Sequence, residues 1–238
     1  PGALPHPAHE YCAAVDISTG KGKSNSVISV GDRITGEKVA EYVNPSIDQY
    51  GLARMAIAMC RWFRGGSKAG AYLTWENNGP GATFGSAVIN LGYRNCALTR
   101  NETSLGRKTI DSYGWYSNAQ LKHALLSDYR DALGVTFINR SVHALEECLK
   151  YSYNRSSEGV AHQAAVSCID PSGALANHGD RVIADALCYK IMKERGLSVL
   201  KPKEELPPLP NCRAFREQEW AQKERGKKPW FAGRGQRR

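Results

Sequence analysis

The sequence predicts an α/β fold with a central mixed β-sheet flanked by helices. Three extended runs near the start follow each other through short turns, which is typical of an antiparallel meander. A helical pattern comes next, and strand and helix then alternate as in a βαβ unit. The 238 residues, 42% of them hydrophobic, suffice for one full core.

The meander is predicted from the first 44 residues. Small and apolar residues run from Tyr11 to Asp16, and the glycines that follow indicate a tight turn. Residues 25–32 and 37–44 are the next two strands, joined by a turn that ends at Gly36. Asp16 therefore stands at the end of a buried strand, where an acid either helps to make the turn or holds a metal ion.

Apolar periodicity places the elements in the middle of the chain. The first helix is predicted to begin near Pro45 and Ser46, and its buried stripe is Leu52, Met55, Ala56, Met59, Cys60 and Phe63. We then expect a strand over residues 71–77, a helix over 83–91, a strand over 95–98 and a polar mobile loop over 100–115.

The same reasoning places three later helices. One covers 118–133 with Ser117 as N-cap and Leu121, Leu125, Tyr129 and Ala132 buried, and the next covers 141–150 with Val142, Leu145 and Leu149 inward. Phe137 and Ile138 read as a brief strand, and residues 151–153 and 160–166 as a hairpin or loop pair. In the last helix, 179–194, the helical angle turns Asp180 toward the sheet edge and Asp185 toward water.

Composition limits the classes of function. From Val199 onward 11 Lys and Arg face 5 Glu, a charge of +6 out of the total +9, so a polyanion such as DNA or RNA is a candidate partner. A solvated tail without a partner is the alternative. Seven scattered cysteines without a Cys-x-x-Cys pair indicate reduced thiols in a cytosolic setting. No apolar run is long enough to span a membrane.

Three acids stand out by context among the 23 in the chain: Asp16 and Glu76 at strand ends, and Asp180 at a helix start. Hard carboxylate oxygens in this arrangement suit two divalent ions in phosphodiester hydrolysis. The glycines and lysines at 20–24 do not make a phosphate-binding loop, because Ile17 stands where that motif needs Gly and no helix follows. Lys21 and Lys23 read instead as exposed turn lysines able to touch a DNA backbone.

With these residues placed, the chain resembles the nuclease domain of the large terminase subunit of tailed bacteriophages, in the RNase H-like superfamily. The resemblance covers residues 11–192 and rests on ordered blocks: the strand ending in Asp16, Trp75-Glu76-Asn77-Asn78-Gly79, Leu91-Gly92-Tyr93, Gly114-Trp115-Tyr116-Ser117-Asn118 with Lys122, and His178-Gly179-Asp180-Arg181-Val182 with Ala184.

The resemblance implies an RNase H-like fold and an endonuclease that cuts concatemeric double-stranded viral DNA during genome packaging. Asp16, Glu76 and Asp180 would hold two divalent ions, Mg²⁺ or Mn²⁺. His178, Asn77 and Asp185 are candidates for contacts behind these ligands. Candidate DNA contacts are Lys21, Lys23, Arg107, Lys108 and Lys122.

The resemblance also implies an organisation and partners. Residues 1–10 would be the remnant of an interdomain linker, 11–196 the nuclease domain and 197–238 a Pro-rich, basic tail. The ATPase motor domain that precedes the nuclease in large terminases is expected outside this chain, which has no Walker motif. The portal protein and the small terminase subunit are further expected partners, and the host cytoplasm is the expected location, outside the mature virion.

One position departs from the family pattern. The closing block of the family often has two adjacent acids, and here Gly179 replaces the first, which leaves Asp180 alone. Two alternatives therefore stay open: a Holliday-junction resolvase or transposase of the same fold, and a non-catalytic module that grips DNA or docks on the procapsid.

Overall fold

Four strands form the central sheet: β1 (Tyr11–Asp16), β2 (Ser26–Asp32), β3 (Glu37–Asn44) and β4 (Tyr72–Trp75). Their order is β3-β2-β1-β4; the first three are antiparallel neighbours, and β4 runs parallel to β1. This computed structural model describes residues 4–101, 110–154, 159–162, 172 and 179–197. The predicted mixed sheet, a meander extended by a parallel strand, is confirmed.

One face of the sheet is covered by α1 (Gln49–Trp62) and α2 (Pro80–Asn90). Alternate residues of β1, among them Ala13 and Val15, point into this half of the core together with Trp75. Asp48 caps α1 by accepting a hydrogen bond from the Gly51 N–H, so the helix begins later than predicted. Met55, expected in the core, is exposed.

The opposite face is covered by α3 (Ala119–Ala132) and α5 (Asp180–Glu194). Cys12 and Ala14 of β1, which alternate with the residues of the first face, pack here against Leu187 and Cys188 of α5. β1 and β2 are therefore buried on both sides, which explains their nearly unbroken run of small and apolar residues.

Two hairpins lie outside the central sheet. β5 (Leu98–Asn101) pairs antiparallel with β6 (Ile110–Tyr113), so the prediction of a mobile loop over 100–115 is wrong for the residues that the structure describes there. Residues 95–97 pair beside β4 before β5 begins. The second hairpin joins β7 (Tyr151–Asn154) to β8 (Gly159–His162). Phe137 and Ile138 form only isolated bridges.

Several predicted helix faces are wrong. Asn118, not Ser117, caps α3, and Leu121 in its first turn is 46% exposed. In α4 (Val142–Cys148), Val142 is 63% exposed, as is Leu149 beyond its end at 87%. The buried residues of α4 are Ala144 and Glu147, because this helix packs on α5 through an ion pair rather than through its apolar side chains.

Candidate active site

Asp16 and Glu76 lie side by side at one edge of the sheet. β1 and β4 are parallel with Val15 opposite Trp75, so the residues that follow each pair, the two acids, leave the sheet at the same end. The Glu76 N–H donates to the Val15 carbonyl oxygen over 3.1 Å and holds this register. Both side chains are partly exposed at this edge.

Asp180 reaches the same edge from the other end of the chain. It opens α5, is 8% exposed, and its carboxylate accepts a hydrogen bond of 2.7 Å from the Asn25 N–H. Asn25 immediately precedes β2, and β2 starts where its antiparallel neighbour β1 ends. The first turn of α5 is thereby placed next to Asp16.

The charges of the three acids act on one another. Burial raises the pKa of the Asp16 carboxyl well above its ordinary value, and the charges of Asp180 and Glu76 raise it further. Lys122 and the backbone N–H of Ile17 act in the opposite direction. Three carboxylates with one nearby lysine form a strongly negative edge, which a cation would stabilise.

Contacts between residues 75–77 and residues 114–115 place the start of α3, and with it Lys122, near the three acids. Trp115 bridges to Glu76: its N–H donates to the Trp75 carbonyl, and its carbonyl accepts from the Asn77 N–H. Gly114, with φ of +82°, lets the backbone pass against the Trp75 indole, where a Cβ would lie 2.9 Å from Nε1. Asn118 then caps α3, and Lys122 follows one turn later.

Solved structures share this architecture. The large terminase nuclease from thermophilic phage G20c has a TM-score of 0.55 and 17% sequence identity, over 79% of this chain and 84% of that one. The chain has the fold of a large terminase nuclease. The G20c nuclease with bound magnesium (TM-score 0.54, 18% identity) and with bound cobalt (0.54, 17%) matches over the same shares. The predicted RNase H-like fold is thus confirmed.

Other comparisons add nothing to this likeness. No protein-family model matches the sequence, and a search of curated proteins gave no match. Within the part of the chain that the structure describes, no helix is both long and apolar enough to cross a membrane.

The structure gives a physical reason for Gly179 in this terminase-nuclease fold. Gly179 precedes α5 with φ of +79°, a left-handed conformation that side chains rarely adopt. The Tyr151 ring lies against it, so a Cβ would be 2.6 Å and 2.7 Å from two ring carbons. The Tyr151 hydroxyl donates to the Gly179 carbonyl over 3.2 Å. An acid at this position has no room, and no pattern in the sequence indicated that Tyr151 packs here.

We expect Gly179→Ala to destabilise the protein more than Gly22→Ala. Gly22 has a similar φ of +77° but nothing within 4 Å of an added Cβ, so its substitution costs only about 1–2 kcal/mol of left-handed strain. Gly179→Ala adds the collision with Tyr151, about 1–3 kcal/mol more. Urea unfolding of both variants measures the difference, and equal free energies of unfolding would contradict the contact. In a Tyr151→Ala background the difference should vanish.

Asp185 was predicted to face water, and this is wrong. It is fully buried: Ser29 Oγ donates to it over 2.5 Å, Lys38 Nζ lies 2.7 Å away, and Asn139 Nδ2 donates over 2.7 Å. Burial alone would lower the pKa of Lys38, but the Asp185 and Glu41 carboxylates raise it overall, so the lysine stays charged. The position of Asp185, more than one turn along α5 from Asp180, suits it to hold the helix in place.

Glu147 is another buried acid, and the sequence pattern did not indicate its burial. Its side chain is 2% exposed, pairs with Arg181 Nη1 at 2.5 Å, and also accepts the Arg181 backbone N–H over 2.9 Å. A carboxylate that accepts an N–H in the first turn of α5 stabilises the positive end of that helix. Glu147 thus fixes the turn that carries Asp180.

Of the six remaining predicted site residues, the structure describes three and does not describe the other three. Lys21 and Lys23 are exposed in the turn after β1, close in sequence to Asp16. Asn77 is partly buried beside Glu76, and its side chain accepts a hydrogen bond of 3.4 Å from the Trp75 indole. His178, Arg107 and Lys108 lie outside the described residues.

Proposed function

We propose that this chain is a metal-dependent DNA endonuclease of the large terminase type, which cuts concatemeric double-stranded viral DNA during genome packaging. The convergence of Asp16, Glu76 and Asp180 on one sheet edge carries the proposal: β1 and β4 bring Asp16 and Glu76 together, and the Asn25 N–H holds Asp180 beside them. The charges of Glu76 and Asp180 both act on Asp16. The fold likeness to a terminase nuclease solved with magnesium and with cobalt supports it.

The donor set fits divalent ions such as Mg²⁺ or Mn²⁺, which prefer hard oxygen ligands. Among the described residues, no three His, Cys, Asp or Glu side chains lie close enough to enclose one ion. Asp16, Glu76 and Asp180, which lie at one edge of the sheet, would hold such ions, with Asp16 as the ligand shared between them. Such ions would activate the attacking water and stabilise the leaving 3′ oxygen.

The chain's own residues would hold the substrate around this edge. Lys122, whose charge acts on Asp16, would contact the phosphate next to the cut. Lys21 and Lys23 are exposed beside the same edge and would bind neighbouring phosphates. Asn77 would help to hold Glu76, while Arg107, Lys108 and His178 keep the roles expected from the sequence.

The wider assignment follows the same proposal. Residues 11–196 would be the nuclease domain, 1–10 part of a linker, and 197–238 a basic tail. The partners would be duplex DNA, an ATPase motor domain of the same subunit, the portal protein and the small terminase subunit. The host cytoplasm would be the place of action.

Cleavage of three DNA substrates tests the proposal. We expect the chain to cut supercoiled plasmid, linear duplex and a four-way junction with little preference when Mg²⁺ or Mn²⁺ is present, and to cut none of them in EDTA. A strong preference for the junction would favour a resolvase. Salt-sensitive DNA binding without cleavage in either metal would favour a module that only grips DNA.

A further inference from the structure

A basic pocket lies at the end of the sheet opposite the three acids. It has a volume of about 520 Å³, and its lining includes four cationic side chains, Arg61, Arg64, Lys68 and Arg94, together with the backbone around Gly70 and Gly92. We infer that this pocket is a second binding site for the phosphodiester backbone of a nucleic acid, distinct from the candidate active site.

The position separates this pocket from the candidate active site. Gly70 lies just before β4 begins, whereas Glu76 lies just after β4 ends. A strand rises about 3.3 Å per residue, so six residues put the two sites roughly 20 Å apart. The pocket wall is fixed: Asn95 Nδ2 donates to the Gly70 carbonyl over 2.9 Å, and the Tyr93 hydroxyl donates to Ala71. Anions bound here would not meet the acids.

The charge of the pocket is uncompensated. No acidic residue lines it, and within the described residues none of the four cations has a carboxylate partner. All four side chains belong to exposed residues. Like charges around one concavity repel each other and attract anions, since a concave surface concentrates the field.

Two of the four cations, Arg61 and Arg94, have a structural role at the end of a helix, and within the described part of the chain the other two do not. Arg61 lies in the last turn of α1, where a cation is favoured by the helix dipole. Arg94 donates to the Ile89 carbonyl near the end of α2. Arg64 and Lys68 lie beyond the end of α1 at Trp62 and have no such role among the described residues. Their presence at the pocket is what a bound anion would explain.

The chemistry favours a chain of phosphates over a single small anion. Guanidinium groups bind phosphate oxygens in pairs, and three of the four cations are arginines. The open pocket has room for more than one phosphate ion, and its cations are all solvent-accessible, as is usual for contacts that release counterions from DNA. A nucleic acid backbone satisfies both properties.

The salt dependence of DNA binding tests this inference. Duplex binding by Arg64→Gln/Lys68→Gln is compared with the full chain and with Arg54→Gln/Lys193→Gln, which removes two exposed charges outside the pocket. EDTA is present throughout, so the result does not depend on whether the chain cuts DNA. Between about 50 and 200 mM salt, the pocket variant should lower the slope of log K against log salt by about 1.8.

The control pair should leave the slope unchanged, and both variants should unfold at the same temperature as the parent. An unchanged slope for a folded pocket variant would overturn the inference. The inference would also be overturned if the parent bound inorganic pyrophosphate and the pocket variant did not, while pyrophosphate at matched ionic strength failed to displace DNA from the parent. In that case the pocket would bind a small phosphate instead of DNA.

Discussion

Asp16→Asn should abolish metal-dependent cleavage while the protein stays folded. Asp16 is close enough to both other acids for the charges of Glu76 and Asp180 to raise its pKa. Loss of a residue that supports a metal ligand costs about 10–100-fold in affinity or activity, so loss of Asp16, itself the proposed shared ligand, should cost at least about a hundredfold. Plasmid nicking with Mg²⁺ and Mn²⁺ measures the effect.

Without metal, Asp16→Asn should make the folded protein more stable, although it abolishes cleavage. The pKa of Asp16 is raised in the folded state, so its contribution to stability is full below the ordinary pKa and is lost as pH rises through the folded-state pKa. At neutral pH its charge therefore opposes folding. Asp16→Asn removes that charge, and we expect the variant in EDTA to melt about 2–4 °C higher, the effect of 1 kcal/mol in a chain of this size.

The pH and metal dependence give the sharpest comparison. Without metal, the stability of the parent relative to Asp16→Asn should fall as pH rises above the ordinary Asp pKa of about 4, and Mg²⁺ should restore stability to the parent only. Asp131→Asn, at an exposed acid paired with Arg130, should match the parent in every assay. Full cleavage by a folded Asp16→Asn variant would refute the assignment of Asp16.

Glu147→Ala should destabilise the protein by about 3–5 kcal/mol, the cost of breaking a buried ion pair from one side. The substitution removes the 2.5 Å partner of Arg181, itself 3% exposed, and the acceptor of the Arg181 N–H, while the Glu41 carboxylate stays 3.5 Å from Arg181 Nε. Because Asp180 precedes Arg181, the first turn of α5 should loosen at the candidate active site. Urea unfolding gives the free energy of unfolding.

The neighbouring acid provides the matched control. Glu146 is exposed and, among the described residues, forms an ion pair only with His143, at 3.7 Å, so Glu146→Ala should change the free energy of unfolding by less than about 1 kcal/mol. Glu147→Gln keeps an acceptor for the N–H and should fall between the two. Similar costs for Glu146→Ala and Glu147→Ala would show that the buried pair does not hold α5.

The strands and the acids at their ends could be predicted because they depend on short local patterns. A run of small residues ending in Asp16, and a second run ending in Glu76, are visible within a few positions. Sequence order then favoured a meander followed by a parallel strand. The parallel pairing of β1 with β4 converts two separate strand ends into one acidic edge.

The helix faces were harder, since periodicity counts only apolar residues. Asp185 and Glu147 are buried because Lys38 and Arg181 come to meet them from distant parts of the chain. Because an unpaired charge is costly to bury, a charged side chain is predicted to be exposed unless its partner is known. Apolar Val142 and Leu149 took the inward face in the prediction, and in the structure they face water.

The sequence by itself determined the fold class, the four strands of the sheet, and the places of Asp16 and Glu76 at strand ends and of Asp180 at a helix start. Only the tertiary structure decided which charged residues are buried and why Gly179 is a glycine. The left-handed backbone and the Tyr151 ring exclude a side chain there, and a contact between residues 28 positions apart has no local pattern. Packing, which joins distant segments, set these details around Asp180.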